Sequence, residues 1–589
     1  MTSPTGPNDT LPYRPGDFKH LAEALEYAAR GKTGYNFYDA RGKLFAVLTY
    51  RELCERAKTL ARRLLALRCE RGDRVAIVAD TDPSFHEFFF ACQYAGLIPV
   101  ALPAGVQMGA RSVYVDQLRR MLQSCDARVA VAPDSHREFL VEAAASLDLL
   151  KVGTAGDFAA LPESAAEFPA IVGDDPAYLQ YTSGSTRFPK GVEITQDAVL
   201  TNLREIAEHG LNIGPMDRAV AWLPFYHDMG LVGFVLQPLV CQLSADYISP
   251  RTFAMRPRLW LKLLSDNRGT LSSGPPFGYE LCAKRLRHSE EASYDLSAWR
   301  AACVGAERIN PEPLRHFARA LKSAGFDEKA FVACYGMAEC ALAISFERLD
   351  TGMHVDVVRK YEMLNEGRAV SLSPDHEHSH NALVFVDCGE LLPSFSLQIR
   401  DDNGQEVPER HCGRICLKGP SIMRGYFQDP EATREVLSED GWLDTGDIGY
   451  RVGSKIFITS RRKDMMIVNG RNIWPHDLEY LAERLPGVRF GNASAFSVPN
   501  ENLKEQVVLV VESRERNPAK RKQLVEDLMA RIQAHFGIRC EVDLVPPHTL
   551  PRTSSGKLSR SRAKADYLQR IAIAPEAPAA AGSCGGANG

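Results

Sequence analysis

The chain has no run of residues suited to crossing a membrane, no dominant charge, no internal repeat and no cysteine framework, and each absence narrows what it can be. Its two most apolar stretches are Phe85 to Pro103 and Gly230 to Val240. The first is interrupted by His86, Glu87 and Gln93, and the second is short and contains Pro238, so both read as buried core and not as membrane spans. Lysine and arginine number 70 against 74 aspartates and glutamates, a formal net charge of −4. That balance gives no electrostatic case for nucleic acid as the main partner. The fourteen cysteines are scattered. The closest pair, Cys412 and Cys416, has no second pair and no histidines beside it, and reads as two thiols on a strand and not as a metal site. This usage suits a reducing cytosol. The opening Met1-Thr-Ser-Pro-Thr-Gly-Pro-Asn-Asp lacks the basic-then-apolar order of a secretory signal, so a cytoplasmic location is expected.

What is present is a globular composition, 45% hydrophobic and 24% charged, over 589 residues. That length exceeds one ordinary core and predicts at least two domains. Residues 50–68 carry the helical stripe Leu53, Ala57, Leu60, Ala61, Leu64 and Leu65. Arg74 to Asp80, Arg128 to Ala132 and Ala219 to Leu223 read as buried strands. Strand and helix in alternation predict an α/β architecture with mainly parallel sheet. A boundary is expected within residues 459–465. Beyond it a helix from Pro475 through Leu478, Leu481 and Leu485, a strand at Gln506 to Val511 and a helix from Arg521 to Phe536 predict a small α+β domain. The expected division is 1–462, 463–571 and an Ala/Pro/Gly/Ser-rich disordered tail at 572–589.

The strongest chemical signal is Tyr181-Thr-Ser-Gly-Ser-Thr-Arg-Phe-Pro-Lys-Gly191, placed between the short strand Ala177 to Tyr181 and a helical stripe of Val199, Leu203, Ile206 and Ala207. Its hydroxyls, glycines and strand-to-helix setting offer O–H and N–H donors to phosphate oxygens, and Lys190 adds a positive charge. The order of Gly and Lys does not match the common nucleoside-triphosphate loop. By itself the segment indicates phosphate binding, against the plainer reading of a polar surface loop. Three more strings follow at wide intervals: Tyr335-Gly-Met-Ala-Glu339, Thr445-Gly-Asp447 and Leu550-Pro-Arg-Thr-Ser-Ser-Gly-Lys557.

With these four strings in this order, the chain resembles the adenylate-forming superfamily from about residue 20 to about residue 570. The resemblance implies a large N-terminal domain of mixed sheets with helices and a small β subdomain, followed by a small mobile C-terminal α+β domain. It implies ATP and Mg²⁺ as cofactors. Thr182, Ser183, Gly184, Ser185, Thr186 and Lys190 would hold the phosphates. Tyr335, with Gly336 and Met337 beside it, would stack on adenine, and Gly305, Ala306 and Glu307 would line the adenine pocket. Glu339 would hold magnesium with Thr186, Asp447 would bind the ribose, Arg461 would support the nucleotide, and Lys557 would reach the forming acyl-phosphate bond. A lone residue of any of these types is ordinarily a solvated or packing residue. Their joint occurrence carries the assignment.

Trp222-Leu-Pro-Phe-Tyr-His-Asp-Met-Gly230 and Ser272-Ser-Gly-Pro-Pro-Phe-Gly278 fall, by the same resemblance, along an acyl tunnel. Trp222, Tyr226, Ser273, Gly274, Pro276 and Phe277 would line it, with His227 as a gate over the carboxylate. Three features point to the fatty acyl-AMP ligase branch: Arg187 where glycine is usual, the string Tyr226-His-Asp-Met-Gly-Leu-Val-Gly, and the long interval from Tyr335 to Gly389, with an insertion at about 347–382. His376, His378 and His380 in that insertion read as a solvated loop. In this branch the insertion restrains the small domain from using free coenzyme A, and Lys463 is the expected hinge. The expected reaction is activation of a medium- or long-chain fatty acid to acyl-AMP with release of pyrophosphate. The acyl group then passes to the phosphopantetheine thiol of an acyl carrier protein or a carrier domain of a polyketide or nonribosomal peptide synthase. The rivals are an acyl-CoA synthetase with an unusual insert, a non-catalytic acyl-AMP-binding regulatory protein and a luciferase-type enzyme. Pro276 stands where related ligases often carry asparagine, which leaves the preferred acid open.

Overall fold

A computed structural model describes residues 3–6, 11–105, 111–182, 189–286, 293–468, 471–489, 491–499, 505–552 and 558–573. The chain divides into two compact units, Met1–Lys463 and Asp464–Gly589.

In the first unit, runs of alanine and β-branched residues form strands buried on both faces, as parallel sheets covered by helices require. Arg74–Ala79 pairs in parallel with Ile98–Pro103 on one side and Ala127–Val131 on the other. The sheet continues from Ile98–Pro103 through Pro176–Tyr181 and Gly191–Thr195 to the two-residue strand Gly425–Tyr426. A second, larger sheet includes the parallel strands Ser244–Tyr247, Arg218–Ala221, Leu271–Gly274, Ala301–Val304 and Phe331–Gly336. It runs on through Ala343–Phe346 and Ala382–Leu391 into the antiparallel set Lys455–Arg461, Leu443–Val452, Gly413–Lys418 and Ser396–Arg400. This last group is the small β subdomain.

The helical stripe at 50–68 is the helix Tyr50–Ala66, started by a capping box in which Thr49 Oγ1 accepts from Glu52 N at 3.2 Å and Glu52 Oε2 accepts from Thr49 N at 3.0 Å. Both apolar stretches are internal. Phe85, Phe88, Phe89 and Phe90 of the helix Pro83–Ala95 are buried, as are Leu231, Val232, Val235 and Leu236 of the π-helical segment Leu231–Leu236. No helix among the described residues is long and apolar enough to cross a membrane.

Some boundaries differ from the sequence reading. The strand expected at Ala219 to Leu223 ends at Ala221, because Trp222 leaves the ladder and stacks on Phe253. Cys412 precedes the strand Gly413–Lys418 that holds Cys416, so the two thiols do not share one strand. The segment expected to be an insertion is no open loop at its start. Its strand Val355–Arg359 pairs antiparallel with Ala382–Leu391 and leads into the helix Lys360–Glu366. His376, His378 and His380 lie beyond these elements and are exposed.

The second unit is built on three strands. Ala493–Pro499 runs antiparallel to Glu505–Glu512, which runs parallel to Cys540–Val545. The period-2 pattern of the central strand sends Val507, Leu509 and Val511 to one core with Leu478, Leu528 and Ile532. Val508 and Val510 go to the other face, with Phe496, Ala563 and Tyr567. The helix Pro475–Glu483 stops before Leu485, and Pro518–Phe536 begins three residues earlier than its apolar pattern suggested. Arg560–Ile573 extends two residues into the stretch expected to be disordered, and the remainder of that tail lies outside the described residues.

Candidate active site

The phosphate-loop string leaves the sheet at Tyr181, whose strand is antiparallel to Gly191–Thr195 with Tyr181 opposite Gly191. Thr182 N donates to Lys190 O at 3.0 Å, and Lys190 N donates to Thr182 Oγ1 at 3.2 Å. These two bonds close the base of the loop. Ser183, Gly184, Ser185, Thr186 and Arg187 lie outside the described residues, as does Lys557.

Lys190 Nζ sits 4.5 Å from the centroid of the Tyr426 ring, a cation–π contact. The Tyr426 hydroxyl donates to Glu339 Oε1 at 2.9 Å. Tyr426 therefore joins the loop lysine to the carboxylate, and it does so because its strand pairs with Gly191–Thr195, Tyr426 opposite Val192. Glu339 is only 8% exposed. Burial raises its pKa, against the opposing pull of hydrogen bonds from its own backbone and from Tyr426.

Glu339 lies in a tight turn after the strand Phe331–Gly336. Ala341 holds φ +62 and ψ −61, and Leu342 N donates to Cys340 O at 2.7 Å, the rare positive-φ γ-turn. Such strain persists only where surrounding structure over-determines it, and it concentrates at functional sites. Met337 N donates to Leu342 O at 2.8 Å, and a Cβ on Gly336 would lie 2.1 Å from that same oxygen, so only glycine fits there.

Tyr335, on the same strand, donates its hydroxyl to Asp447 Oδ2 at 2.8 Å. Burial and the Asp447 charge both push the phenol pKa up. Asp447 faces Arg461 across adjacent antiparallel strands, with Arg461 Nε 3.3 Å from Asp447 Oδ1. Asp447 is 5% exposed, and half of the Arg461 side chain reaches solvent. Gly305, Ala306 and Glu307 follow the neighbouring strand Ala301–Val304. A Cβ on Gly305 would lie 2.9 Å from Cys334 O, which packs this turn against the Tyr335 strand.

The second predicted group lies along an aromatic wall. Trp222 stacks on Phe253 with centroids 3.7 Å apart and meets Phe277 edge-on at 5.9 Å. Cβ atoms on Gly274 and Gly278 would lie 3.2 and 2.7 Å from Trp222 Cζ2, so both glycines make room for the indole. Ser273 Oγ donates to Cys303 O at 3.2 Å and lies 3.1 Å from Met229 Sδ. Pro276 occupies the first position of the helix Pro276–Arg285, where a missing N–H costs nothing. Gln180 Nε2 donates to Tyr226 O at 2.6 Å, tying the turn after Trp222 to the strand Pro176–Tyr181. His227 Nδ1 lies 2.6 Å from Asp228 Oδ1, which also accepts from Met229 N at 2.7 Å.

Of the predicted residues, Lys190 and Glu339 are thus joined through Tyr426, and Tyr335, Asp447 and Arg461 form a second group, with Tyr335 on the strand that leads into the Glu339 turn, while Lys463 is an exposed residue at the end of the first unit. Sequence reading missed Tyr426 and gave no role to Asp228, although Asp228 lay inside a string already singled out. Tyr426 stands in no string that would have marked it.

The fold and this polar cluster define an adenylate-forming enzyme. The chain belongs to the AMP-binding enzyme family, which residues 26–427 match, and residues 470–562 match the AMP-binding enzyme C-terminal domain. It is 43% identical over 570 residues to a Caulobacter vibrioides protein whose name assigns it provisionally to the acyl-CoA synthetases, with 96% of this chain and 98% of the other covered. It is 29% identical over 573 residues to a medium-chain-fatty-acid–[acyl-carrier-protein] ligase of Moorena producens, covering 94% and 96% of the two chains. A solved structure from structural and functional studies of fatty acyl-adenylate ligases from E. coli and L. pneumophila superposes with a TM-score of 0.90 at 44% identity, covering 96% of this chain and all of the other.

Proposed function

We propose that the protein activates a medium- or long-chain fatty acid as its acyl-adenylate and passes the acyl group to the phosphopantetheine thiol of a carrier protein. A carboxylate oxygen of the acid attacks the α-phosphorus of ATP, and the bond from that phosphorus to the bridging β-phosphate oxygen breaks, releasing pyrophosphate. The thiolate sulfur of the carrier then attacks the acyl carbon, AMP leaves with its bonding pair, and the thiol proton passes to solvent.

The observation that carries this reading is the pair of polar groups on one strand and its turn: Tyr335 with Asp447, and Glu339 with Tyr426 and Lys190. Asp447 would accept from the ribose hydroxyls, with Tyr335 against the base and Arg461 behind. Lys190 would lie along the phosphates. The donor chemistry fits Mg²⁺: Glu339 is a buried carboxylate with one described side-chain donor, and a carboxylate joined by a threonine hydroxyl and phosphate oxygens, Thr186 being the hydroxyl proposed here, is the all-oxygen set this ion takes. When bound, that ion supplies charge neutralisation at the phosphates. Two anions must meet in this step, so positioning and cationic screening do most of the work. Lys557 is proposed to supply the remaining cation, and Lys463 to absorb the domain rotation.

The fatty-acid assignment draws on the aromatic wall of Trp222, Phe253 and Phe277, with Tyr226, Ser273, Gly274 and Pro276 around it and His227 near the carboxylate end. The carrier-protein acceptor draws on the ordered root of the 347–382 insertion and on the named relatives. The Caulobacter relative favours the alternative of free coenzyme A. One experiment separates them: the enzyme, ATP, Mg²⁺ and a panel of acids, with coenzyme A or a holo carrier protein as acceptor, followed by mass spectrometry. Acyl-AMP without acceptor and a loaded carrier with little acyl-CoA are expected. Rapid acyl-CoA formation would refute the acceptor, and absence of acyl-AMP with every acid would refute the activity.

A further inference from the structure

Arg560 opens the helix Arg560–Ile573, three residues after Lys557 in the chain. Its guanidinium Nη1 meets Asp464 Oδ2 at 2.8 Å, while Nε and Nη2 meet Glu479 Oε1 and Oε2 at 2.7 and 2.6 Å. The Glu479 pair is a two-pronged fork, the most geometrically exacting ion pair available to a protein. Glu479 Oε1 also accepts from Ala495 N at 2.9 Å. Arg560 thus binds two separate pieces of the second unit, its first residue Asp464 and the helix Pro475–Glu483, and Glu479 extends the link to the strand Ala493–Pro499. The three side chains are 23%, 17% and 7% exposed for Arg560, Asp464 and Glu479.

Stability does not account for this arrangement. A cation at the first position of a helix opposes the helix dipole, and the first turn holds no acidic residue to offset it. A buried ion group is also commonly matched or bettered by apolar residues of the same volume. What the triad provides is position. The chain on either side of residues 553–557 is anchored: Arg552 bridges Leu558, Ser559 N donates to Pro551 O at 2.9 Å, and Leu550 N donates to the buried Glu512 carboxylate at 2.8 Å. Arg560 adds the link that none of these supplies, from that anchored segment to the first residue after Lys463.

We propose that the Asp464–Arg560–Glu479 triad is a positioning device for the adenylation step, fixing the chain that carries Lys557 to the point where the second unit begins. This rests on the reading above that Lys557 serves adenylation. Through the triad, rotation of the chain at Lys463 moves Asp464, Arg560 and the foot of the Lys557 segment as one body. Arg560 touches neither substrate nor nucleotide in this role and acts only through Lys557.

The test is a double-mutant cycle in the full-length protein. Adenylation is followed as pyrophosphate release from ATP and dodecanoic acid, with hydroxylamine present to consume the adenylate. Asp464→Asn, which keeps shape and leaves the Arg560–Glu479 fork, should lower kcat on the order of 10- to 100-fold, the scale of a small misplacement of a catalytic group. KM for ATP and for the acid should stay within about twofold of wild type. Arg560→Lys, which cannot make the fork, should behave alike. In a Lys557→Ala background Asp464→Asn should cause no further loss, because the group it positions is gone. A further loss in that background, a rise in KM with kcat unchanged, or a single mutant at wild-type rate would overturn the triad's role while leaving the proposed activity standing. A wild type that releases no pyrophosphate, or Lys557→Ala at full rate, would instead overturn the reading beneath it. Melting curves of each variant separate unfolding from misplacement: a loss of kcat that tracks loss of folded protein counts against the inference.

Discussion

At one end of the site Tyr335, Glu339 and Asp447 are 8%, 8% and 5% exposed, and each is held by a directional bond to a polar partner. At the other end Trp222 is 5% exposed and is held by ring faces and by glycines that yield it space. The burial is equal and the means of fixing are opposite. A bond network fails when one donor or acceptor is lost, since the orphaned partner remains buried. A packed apolar wall changes shape with volume. The proposed nucleotide end should therefore respond to substitution with loss of rate, and the proposed acyl end with a change of preferred acid.

The largest effect is expected at Glu339. Glu339→Gln keeps the acceptor for Tyr426 but removes the charge, and adenylation should fall on the order of 10²- to 10³-fold. The same variant should be more stable than wild type near neutral pH. Burial raises the native carboxyl's pKa above its unfolded value, so between those two values the native state holds more proton than the unfolded state. Stability falls as pH rises through that window, and the full penalty persists above it. The melting-temperature advantage of glutamine should thus grow from near zero at acid pH to its maximum once the pH has passed the raised native value. An advantage that shrinks with rising pH would contradict the burial argument. Next in size is Gly278→Ala, whose Cβ would meet Trp222 Cζ2 at 2.7 Å and Cη2 at 3.3 Å. The indole, stacked on Phe253 and edge-on to Phe277, must then shift, and the aromatic wall changes shape. The ratio of kcat/KM for long over short acids should drop about 10- to 100-fold, with KM for ATP unchanged. A uniform loss for all acids would erase the contrast between the two ends. Tyr426→Phe comes third: it keeps the ring beneath Lys190 and removes the donor to Glu339. A loss of about 1–2 kcal/mol in transition-state stabilisation, roughly tenfold in kcat/KM, is expected.

The same contrast explains what was legible in the sequence. The strands at 74–79 and 176–181, the helix at 50–66 and the two-unit division follow from local pattern. The residues proposed for the nucleotide, Lys190, Tyr335, Glu339, Asp447 and Arg461, stand in strings whose residue types the proposed chemistry requires. Tyr426 stood in no such string. It reaches Glu339 only because a two-residue strand registers against Gly191–Thr195, and strand pairing between distant segments leaves no local mark. Trp222 was placed at the acyl end, but its departure from the strand at Ala221 depends on Phe253, Gly274 and Gly278, which meet only after folding. Leu485 and Cys412 fell outside their expected elements for a smaller reason, that apolar periodicity does not define where a helix or strand stops.

The proposed insertion offers the smallest test, because a strand ladder and polar contacts hold it at its root while a partly exposed ion pair holds it further out. At the root, Asp356 accepts from Tyr450 Oη at 2.9 Å and pairs with Arg410 at 2.9 Å. Its strand Val355–Arg359 also makes a five-residue ladder with Ala382–Leu391. Lys455 contacts both Glu347 and Asp387, which flank the segment in sequence. Further out, Glu377 meets Arg315 Nη1 at 2.5 Å, where the same guanidinium group also serves Glu312 at 2.8 Å. Arg315 is 29% and Glu377 17% exposed, so solvent screens the pair and its worth is about 1 kcal/mol or less. Arg315→Ala should lower the melting temperature by a few degrees at most and leave adenylation within about twofold of wild type. The product ratio between carrier protein and free coenzyme A should not move, since the ladder and the Asp356 contacts remain. A shift of that ratio towards acyl-CoA would place control of the acceptor at the outer end of the insertion instead of its root, and the corresponding change at Asp356 would then be the weaker of the two.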